Sequence, residues 1–275
     1  MKSHLPVAEC LVDGSLYALG SSFPIDGRIS WLPSDLERGY EPINCYLVKD
    51  PESAILIDTG VAAQRRSILS QLTQLLTPSI PFRLLLTRPT EFDSFGNLGE
   101  VLRATGADTL YIGSSGQSSP LDVVDYADPV AGSDGLRVVR LAGLANDRFT
   151  PLPESNRLEV ILPMLRLLGT VWAYDSATHT LFTSDCFGHV SSRGVDSRIS
   201  ANGNQQSTDD EESVRRHMYA KFGWLAGANC EPIRASIRAI FDQRDVEIVA
   251  PTHGCILMGR DLVQRHLELV ERVLS

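Results

Sequence analysis

The sequence has no Cys-x-x-Cys pair, no Gly-x-Gly-x-x-Gly after a strand, and no long apolar run. A membrane-spanning helix needs roughly 20 consecutive apolar residues, and no window approaches that. The amino terminus, MKSHLPVAECLVDG, has a lysine but no apolar stretch of signal-peptide length. A cytoplasmic protein with no membrane partner is expected. The cysteines, Cys10, Cys45, Cys186, Cys230 and Cys255, are odd in number and scattered. That argues against a disulfide framework or a structural zinc and leaves buried free thiols as the default. Positive charge is in deficit: 25 Lys and Arg face 34 Asp and Glu, for a net charge of −9. Such a chain does not attract phosphate backbones, so nucleic acid is not an expected partner. The longest acidic block, Asp209 to Glu212, reads as a solvated loop leading into a helix. No internal repeat occurs at a solenoid or propeller period.

What the chain does have is apolar content, 43% over 275 residues, enough for a sizeable core in one domain spanning 1–275. Short apolar runs predict strands at Gly14 to Leu19, Asn44 to Val48, Ala54 to Ile57, Phe82 to Leu86 and Thr109 to Ile112. Helical spacing appears over Ala62 to Leu76 and over Asn97 to Thr105, the latter stopped by Gly106. Gly113 to Pro120 reads as a Ser/Gly loop. Further strands are expected at Leu136 to Leu141, Arg157 to Leu162, Thr170 to Tyr174 and His179 to Thr183, the last two joined by a turn at 175–178. The segment 188–212 is rich in Ser, Gly, Asn and Asp and reads as a flexible loop or lid. Helices at Ser213 to Trp224 and Pro232 to Gln243, a strand at Val246 to Ala250 and an amphipathic helix at Asp261 to Leu274 complete the pattern. Two sheets with flanking helices fit this order; a doubly wound α/β fold is the runner-up.

Several stretches in this order resemble one known family. Asn44-Cys45-Tyr46-Leu47-Val48 and Ile55-Leu56-Ile57-Asp58-Thr59-Gly60 resemble the opening of a metallo-β-lactamase-fold domain. The segment from Leu86 to Asn97 sits where that superfamily carries H-x-[HE]-x-D-H-x-G. Thr183-Ser184-Asp185-Cys186-Phe187-Gly188 is similar to the stretch holding the bridging aspartate of the oxygen-binding diiron (flavodiiron-like) branch. Ala250-Pro251-Thr252-His253-Gly254 resembles the strand end that delivers its last histidine. The resemblance implies an α/β (α+β) fold, the four-layer αββα sandwich, with Glu91, Asp93, Asp185 and His253 at metal-ligand positions. It also implies a homodimer, and a support role for Asp58 behind the metal loop. The chain departs from the pattern at Pro89 and Ser94, which stand at histidine positions, and at Arg166, which replaces the histidine of a Pro-Met-Leu-His segment. The flavodoxin domain of flavodiiron enzymes is expected to be missing, and FMN with it.

Pro89 has no donor, Ser94 is a weak neutral ligand, and a guanidinium has no lone pair to give a metal. Two readings follow. In one, Arg166 lies beside Glu91, Asp93 and Asp185 and neutralises them, making a non-redox pseudoenzyme, binding or sensor domain for an unknown small molecule. In the other, Asp93, Asp185 and His253 hold one iron, zinc or manganese ion and the protein is a mononuclear hydrolase or oxygen sensor. A third enzyme class would use Cys186 or Cys255 as nucleophile with His253 as base. Among the remaining candidates, His179 reads as a solvated turn residue, His189 as a surface residue, and His217 and His266 as structural or exposed. Trp31, Trp172 and Trp224 read as core or pocket wall.

Overall fold

A computed structural model describes residues 6–36, 38–77, 80–113, 136–141, 151–152, 155, 157–167, 169–195, 197–201 and 210–275. The chain forms two compact units. The first comprises 1–21, 43–161 and 168–171, and the second 22–42, 162–167 and 172–275.

The first unit is organised by a seven-stranded sheet of order β1-β2-β3-β4-β5-β6-β7. Its strands are β1 (Glu9–Val12), β2 (Leu16–Pro24), β3 (Tyr40–Lys49), β4 (Ala54–Ile57), β5 (Phe82–Leu86), β6 (Thr109–Ile112) and β7 (Arg137–Arg140). The strands β3 and β4 pair antiparallel, and β4 to β7 run parallel. The runs Ala54–Ile57, Phe82–Leu86 and Thr109–Ile112 are buried along their whole length, which is why they read as continuous apolar stretches rather than alternating ones. Helices α1 (Arg65–Leu75) and α3 (Leu98–Thr105) contribute Ile68, Leu72, Leu98, Val101 and Leu102 to a core with Leu47, Leu56, Leu84 and Leu110. The stop at Gly106 is as the sequence predicts: it takes φ +65°, the left-handed cap that glycine adopts without strain. A single short turn of helix, α2 (Phe92–Phe95), follows β5.

The second unit carries a six-stranded sheet of order β11-β13-β12-β10-β9-β8. The strands of this sheet are β8 (Leu158–Ile161), β9 (Trp172–Asp175), β10 (Thr180–Ser184), β11 (Ile199–Ala201), β12 (Ile248–Pro251) and β13 (Ile256–Met258). The hairpin β9–β10 is antiparallel and β10–β12 parallel, so this sheet is mixed as well. Helices α4 (Glu211–Lys221), α5 (Glu231–Asp242) and α6 (Arg260–Val273) accompany it. The amphipathic pattern of α6 is real: Leu262, Val263, His266, Leu267, Leu269, Val270 and Val273 are its buried face. The loop expected over 188–212 is corrected in part. Ile199–Ala201 adds to β13 in parallel, and Tyr40 bridges Ser192. Residues 202–209, and 114–120 of the expected Ser/Gly loop, lie outside the described residues. Trp172 is core, but Trp224, read as core or wall, is 45% exposed. Among the described residues no helix is long and apolar enough to cross a membrane.

In both units parallel neighbours end at residues that the sequence singles out. β4 and β5 run out into Asp58 and Thr87, and β10 and β12 into Asp185 and His253. Carboxyl ends of parallel strands are where α/β proteins collect functional side chains.

Candidate functional site

In the first unit the chain turns sharply after each strand. Asp58 adopts φ +60°, a conformation that costs a non-glycine residue of the order of 1 kcal/mol or more and that recurs at functional turns. Its carboxylate is bound on both oxygens. One accepts from the Thr87 amide at 2.8 Å and from the Ser94 hydroxyl, and the other accepts from the Thr87 hydroxyl at 2.6 Å. Burial raises the Asp58 pKa, and the nearby Arg88 charge opposes that rise. Asp58 thus ties the ends of β4 and β5 to α2, and the Ser94 hydroxyl is spent in the same network. Asn97 fastens the other side by donating to the carbonyls of Thr59, Gly60 and Val61.

Arg88 is the cation of this cluster. It is 1% exposed, donates from Nη1 to Glu91 Oε2 at 3.0 Å, and brings Nη2 within 2.9 Å of Asp93 Oδ2. One guanidinium therefore bridges both carboxylates for which the resemblance implies a ligand role in this unit. The position expected for that cation was Arg166. Its side chain is exposed instead and bonds the Pro163 carbonyl at 3.3 Å, closing a local turn of its own segment. Sequence reasoning had Arg88 in view between Thr87 and Pro89 and assigned it nothing.

In the second unit Asp185 follows Ser184 (φ +54°) and precedes Phe187 (φ +66°), so its turn is held in left-handed backbone twice. That turn presses on the strand end bearing His253. A Cβ on Gly188 would meet the His253 carbonyl at 2.5 Å, and one on Gly254 would meet the Gly188 carbonyl at 2.4 Å. Glycine at both places lets the two backbones approach and brings Asp185 Oδ1 within 3.7 Å of His253 Nε2. The cation here is Lys221, from the last turn of α4, with Nζ 3.0 Å from Asp185 Oδ1. Trp31 packs on His253, ring centroids 4.4 Å apart, and Lys221 lies 5.8 Å from the Trp31 ring. The Trp31 indole donates to Glu41 Oε1 at 3.1 Å. Glu41 is fully buried, and that burial pushes its carboxyl up to about 8, against the opposing pull of the Trp31 bond and the Lys221 charge.

Three more histidines of this unit, His189, His217 and His266, are buried, contrary to the surface position expected of His189. His189 Nε2 and His266 Nδ1 are 2.8 Å apart, and the His217 ring is 6.4 Å from that of His189. Burial first, then the neighbouring imidazoles, hold His189 well below the usual histidine range. Burial chiefly, with the His253 and Lys221 charges adding, holds His217 at about 3. His179 is a turn residue, as expected, half-buried, with its side chain 40% exposed. With Asp245 and Glu247 it forms a group of metal-ligand reach, but Arg260 already binds both of those carboxylates. Cys186 and Cys255 are buried. Burial drives the Cys186 thiol up to about 12, so it is not a thiolate at neutral pH and the thiol-nucleophile reading loses that residue. Cys10 is exposed, against the expectation of a buried thiol.

No family model matches the chain. A curated relative, the putative diflavin flavoprotein A 2 of Nostoc sp. PCC 7120, is 23% identical over 228 residues, covering 81% of this chain. The chain spans only 35% of that relative's length. Among solved structures, the flavodiiron core of Flv1 from Synechocystis sp. PCC6803 superposes with a TM-score of 0.64 at 18% identity, covering 96% of this chain and 62% of its own. The putative diflavin flavoprotein A 5 of Nostoc sp. PCC 7120, solved as a fragment, superposes with a TM-score of 0.64 at 16% identity over 98% of this chain and 96% of its own. The expectation that FMN has no place is corrected by these matches. The curated relative is by name a diflavin flavoprotein, of which this chain covers about a third. With its two mixed sheets, the helices that accompany them and these superpositions, the chain has the metallo-β-lactamase-type α/β fold of the flavodiiron core.

Proposed function

We propose that this chain is a non-redox member of that fold, a pseudoenzyme serving as a small-molecule binding or sensor domain, with Arg88 and Lys221 supplying the positive charge that metal ions would otherwise bring. One observation carries the reading: in each unit the carboxylates at the implied ligand positions already hold a cation of the protein, the buried Arg88 on Glu91 and Asp93, and Lys221, 10% exposed at its side chain, on Asp185.

The donor set does not fit a dinuclear iron centre. Pro89 has no donor, the Ser94 hydroxyl is bound to Asp58, and Arg166 is a cation facing solvent. The carboxylates that remain are engaged by ammonium or guanidinium groups that cannot ligate. Charge supports the same reading. At an effective dielectric of about 20, a unit cation about 4 Å from a divalent ion opposes it by about 8 kcal/mol. The mononuclear alternative, through Asp93, Asp185 and His253, would require both Arg88 and Lys221 to leave their carboxylates. The acidic net charge accords with a protein that binds no nucleic acid, and a cytoplasmic location and the homodimer implied by the resemblance are part of the proposal.

The test is elemental analysis of the full chain purified without chelator. Iron, zinc and manganese are expected far below one per chain, with a melting temperature indifferent to EDTA. One ion per chain, lost with EDTA and accompanied by a drop in melting temperature, would overturn the reading.

A further inference from the structure

In the second unit, four side chains close a ring of contacts. Lys221 Nζ is 3.0 Å from Asp185 Oδ1, and that oxygen is 3.7 Å from His253 Nε2. The His253 ring lies 4.4 Å from the Trp31 ring at an interplanar angle of 43°, and Trp31 offers its ring to Lys221 Nζ at 5.8 Å. Outside the ring stands Glu41, fully buried, with one oxygen on the Trp31 indole nitrogen. Its other oxygen has no hydrogen-bond partner among the described residues.

The chemistry of this wall is unequal toward different cations. An indole face attracts an organic ammonium through its quadrupole, and a shielded contact of this kind contributes more than an exposed one. The same face has no lone pair for a metal, and the indole nitrogen only donates. A divalent ion beside Asp185 and His253 would have to shed water against a surface that returns no ligand. Glu41 does not redress that. Burial keeps its carboxyl largely protonated at neutral pH, so it fixes the indole without adding a second anion.

We infer that the Trp31–Glu41 pair makes the Asp185–His253 cluster selective for an alkylammonium ion, which Lys221 supplies from within the chain, over a divalent metal ion. Trp31 is then the specificity-determining residue and Glu41 the positioning residue that sets the indole. The inference rests on the proposed reading that protein cations replace metals, and it adds what selects them.

Lys221→Ala empties the ammonium position. The full-length variant is titrated with propylammonium, with Zn²⁺ and Mn²⁺, and with K⁺ as an ionic control, and its melting temperature is followed. Propylammonium is expected to recover part of the lost melting temperature saturably, while the divalent ions do no more than K⁺. In the double variant K221A/W31L the apparent affinity for propylammonium is expected to fall about tenfold, the effect of losing a largely desolvated cation–π contact. K221A/E41Q, which keeps an acceptor for the indole, is expected to respond like K221A, and K221A/E41L to respond weakly. Stabilisation of K221A by zinc or manganese with Trp31 in place, or an undiminished propylammonium response in K221A/W31L, would overturn the inference. Where K221A does not fold unaided, refolding is the readout: rescue by propylammonium and not zinc supports the inference, and rescue by zinc or by neither overturns it. Metal content of the wild type is measured alongside. Stoichiometric metal there sinks the pseudoenzyme reading itself, whereas a metal-free wild type whose K221A variant prefers zinc sinks the selectivity alone.

Discussion

The first unit takes its cation from the same turn as its carboxylates, Arg88 lying just ahead of Glu91 and Asp93, whereas the second takes Lys221 from a helix far along the chain from Asp185. The local cluster is held by backbone geometry. The Glu91 amide bonds the Arg88 carbonyl, and α2 begins at once, so the guanidinium and its partners move together. The second depends on tertiary packing, because Lys221 reaches Asp185 only where α4 is docked. One arrangement is stiff by sequence proximity and the other only by folding, so the two should break differently.

The largest loss is expected from Arg88→Ala. It leaves Asp93 buried without its cation and removes the charge that offsets the burial of Asp58. Breaking a buried pair by deleting one partner costs about 3–5 kcal/mol. Glu91, 30% exposed at its side chain, can resolvate and contributes little to that sum. Urea denaturation should show a lower midpoint at unchanged slope. Lys221→Ala should fall at the lower edge, about 3 kcal/mol, since its own side chain is 10% exposed and water can reach the vacated place. A larger loss for Lys221→Ala than for Arg88→Ala would reverse the comparison.

Protons sharpen it further, because the strongly shifted buried groups with opposite directions both belong to the second unit. His189 and His217 are neutral in the folded protein at pH values where the unfolded chain protonates them. Their depressed pKa values therefore cost stability as pH falls below about 6.5, by about 1 kcal/mol per pH unit for each histidine. Glu41 has the opposite sign. Its folded pKa is raised to about 8 from 4.5, so stability from this group is greatest at low pH and is lost as pH rises across that interval. Two histidines outweigh one carboxyl below about pH 6.5, and above it the histidines are neutral in both states while the Glu41 contribution is still being lost. Stability should peak near pH 6.5 and decline toward pH 8 before levelling. Glu41→Gln should abolish the decline between pH 6.5 and 8 and leave the acid limb intact. An unchanged upper limb in that variant would remove Glu41 from the account.

The two regions also differ in how far they could be read from the chain. Strands β4, β5 and β6 lie buried on both faces, so their apolar runs announced them, and the Asp and Thr that end them were visible by contrast. Strands β11 and β13 escaped notice because each is only 3 residues long, too short to show a period, and β11 pairs with a segment far along the chain. Glu91, Asp93, Asp185 and His253 stood out through their neighbours. The cations did not. Which way Arg88 points from a turn is set by φ and ψ, not by spacing. Lys221 in the last turn of α4 looks like an ordinary complement to the helix dipole. Trp31 and Glu41 meet through side chains alone, and nothing in their separation marks them as a pair.

The smallest effect separates the resemblance from the geometry. Arg166 stands where the resemblance puts a histidine ligand, yet its side chain is exposed and makes one long bond to the Pro163 carbonyl. Arg166→Ala should change stability by no more than about 0.5 kcal/mol, the range of surface substitutions. Arg166→His is the sharper variant, because it restores an imidazole without touching either cation. If Arg88 and Lys221 are what keep metal away, the added ligand is idle, and elemental analysis should find no more iron, zinc or manganese than in the wild type. Metal uptake by Arg166→His would mean that the carboxylates were short of a ligand rather than already neutralised, and that the two cations give way when a metal is offered enough donors.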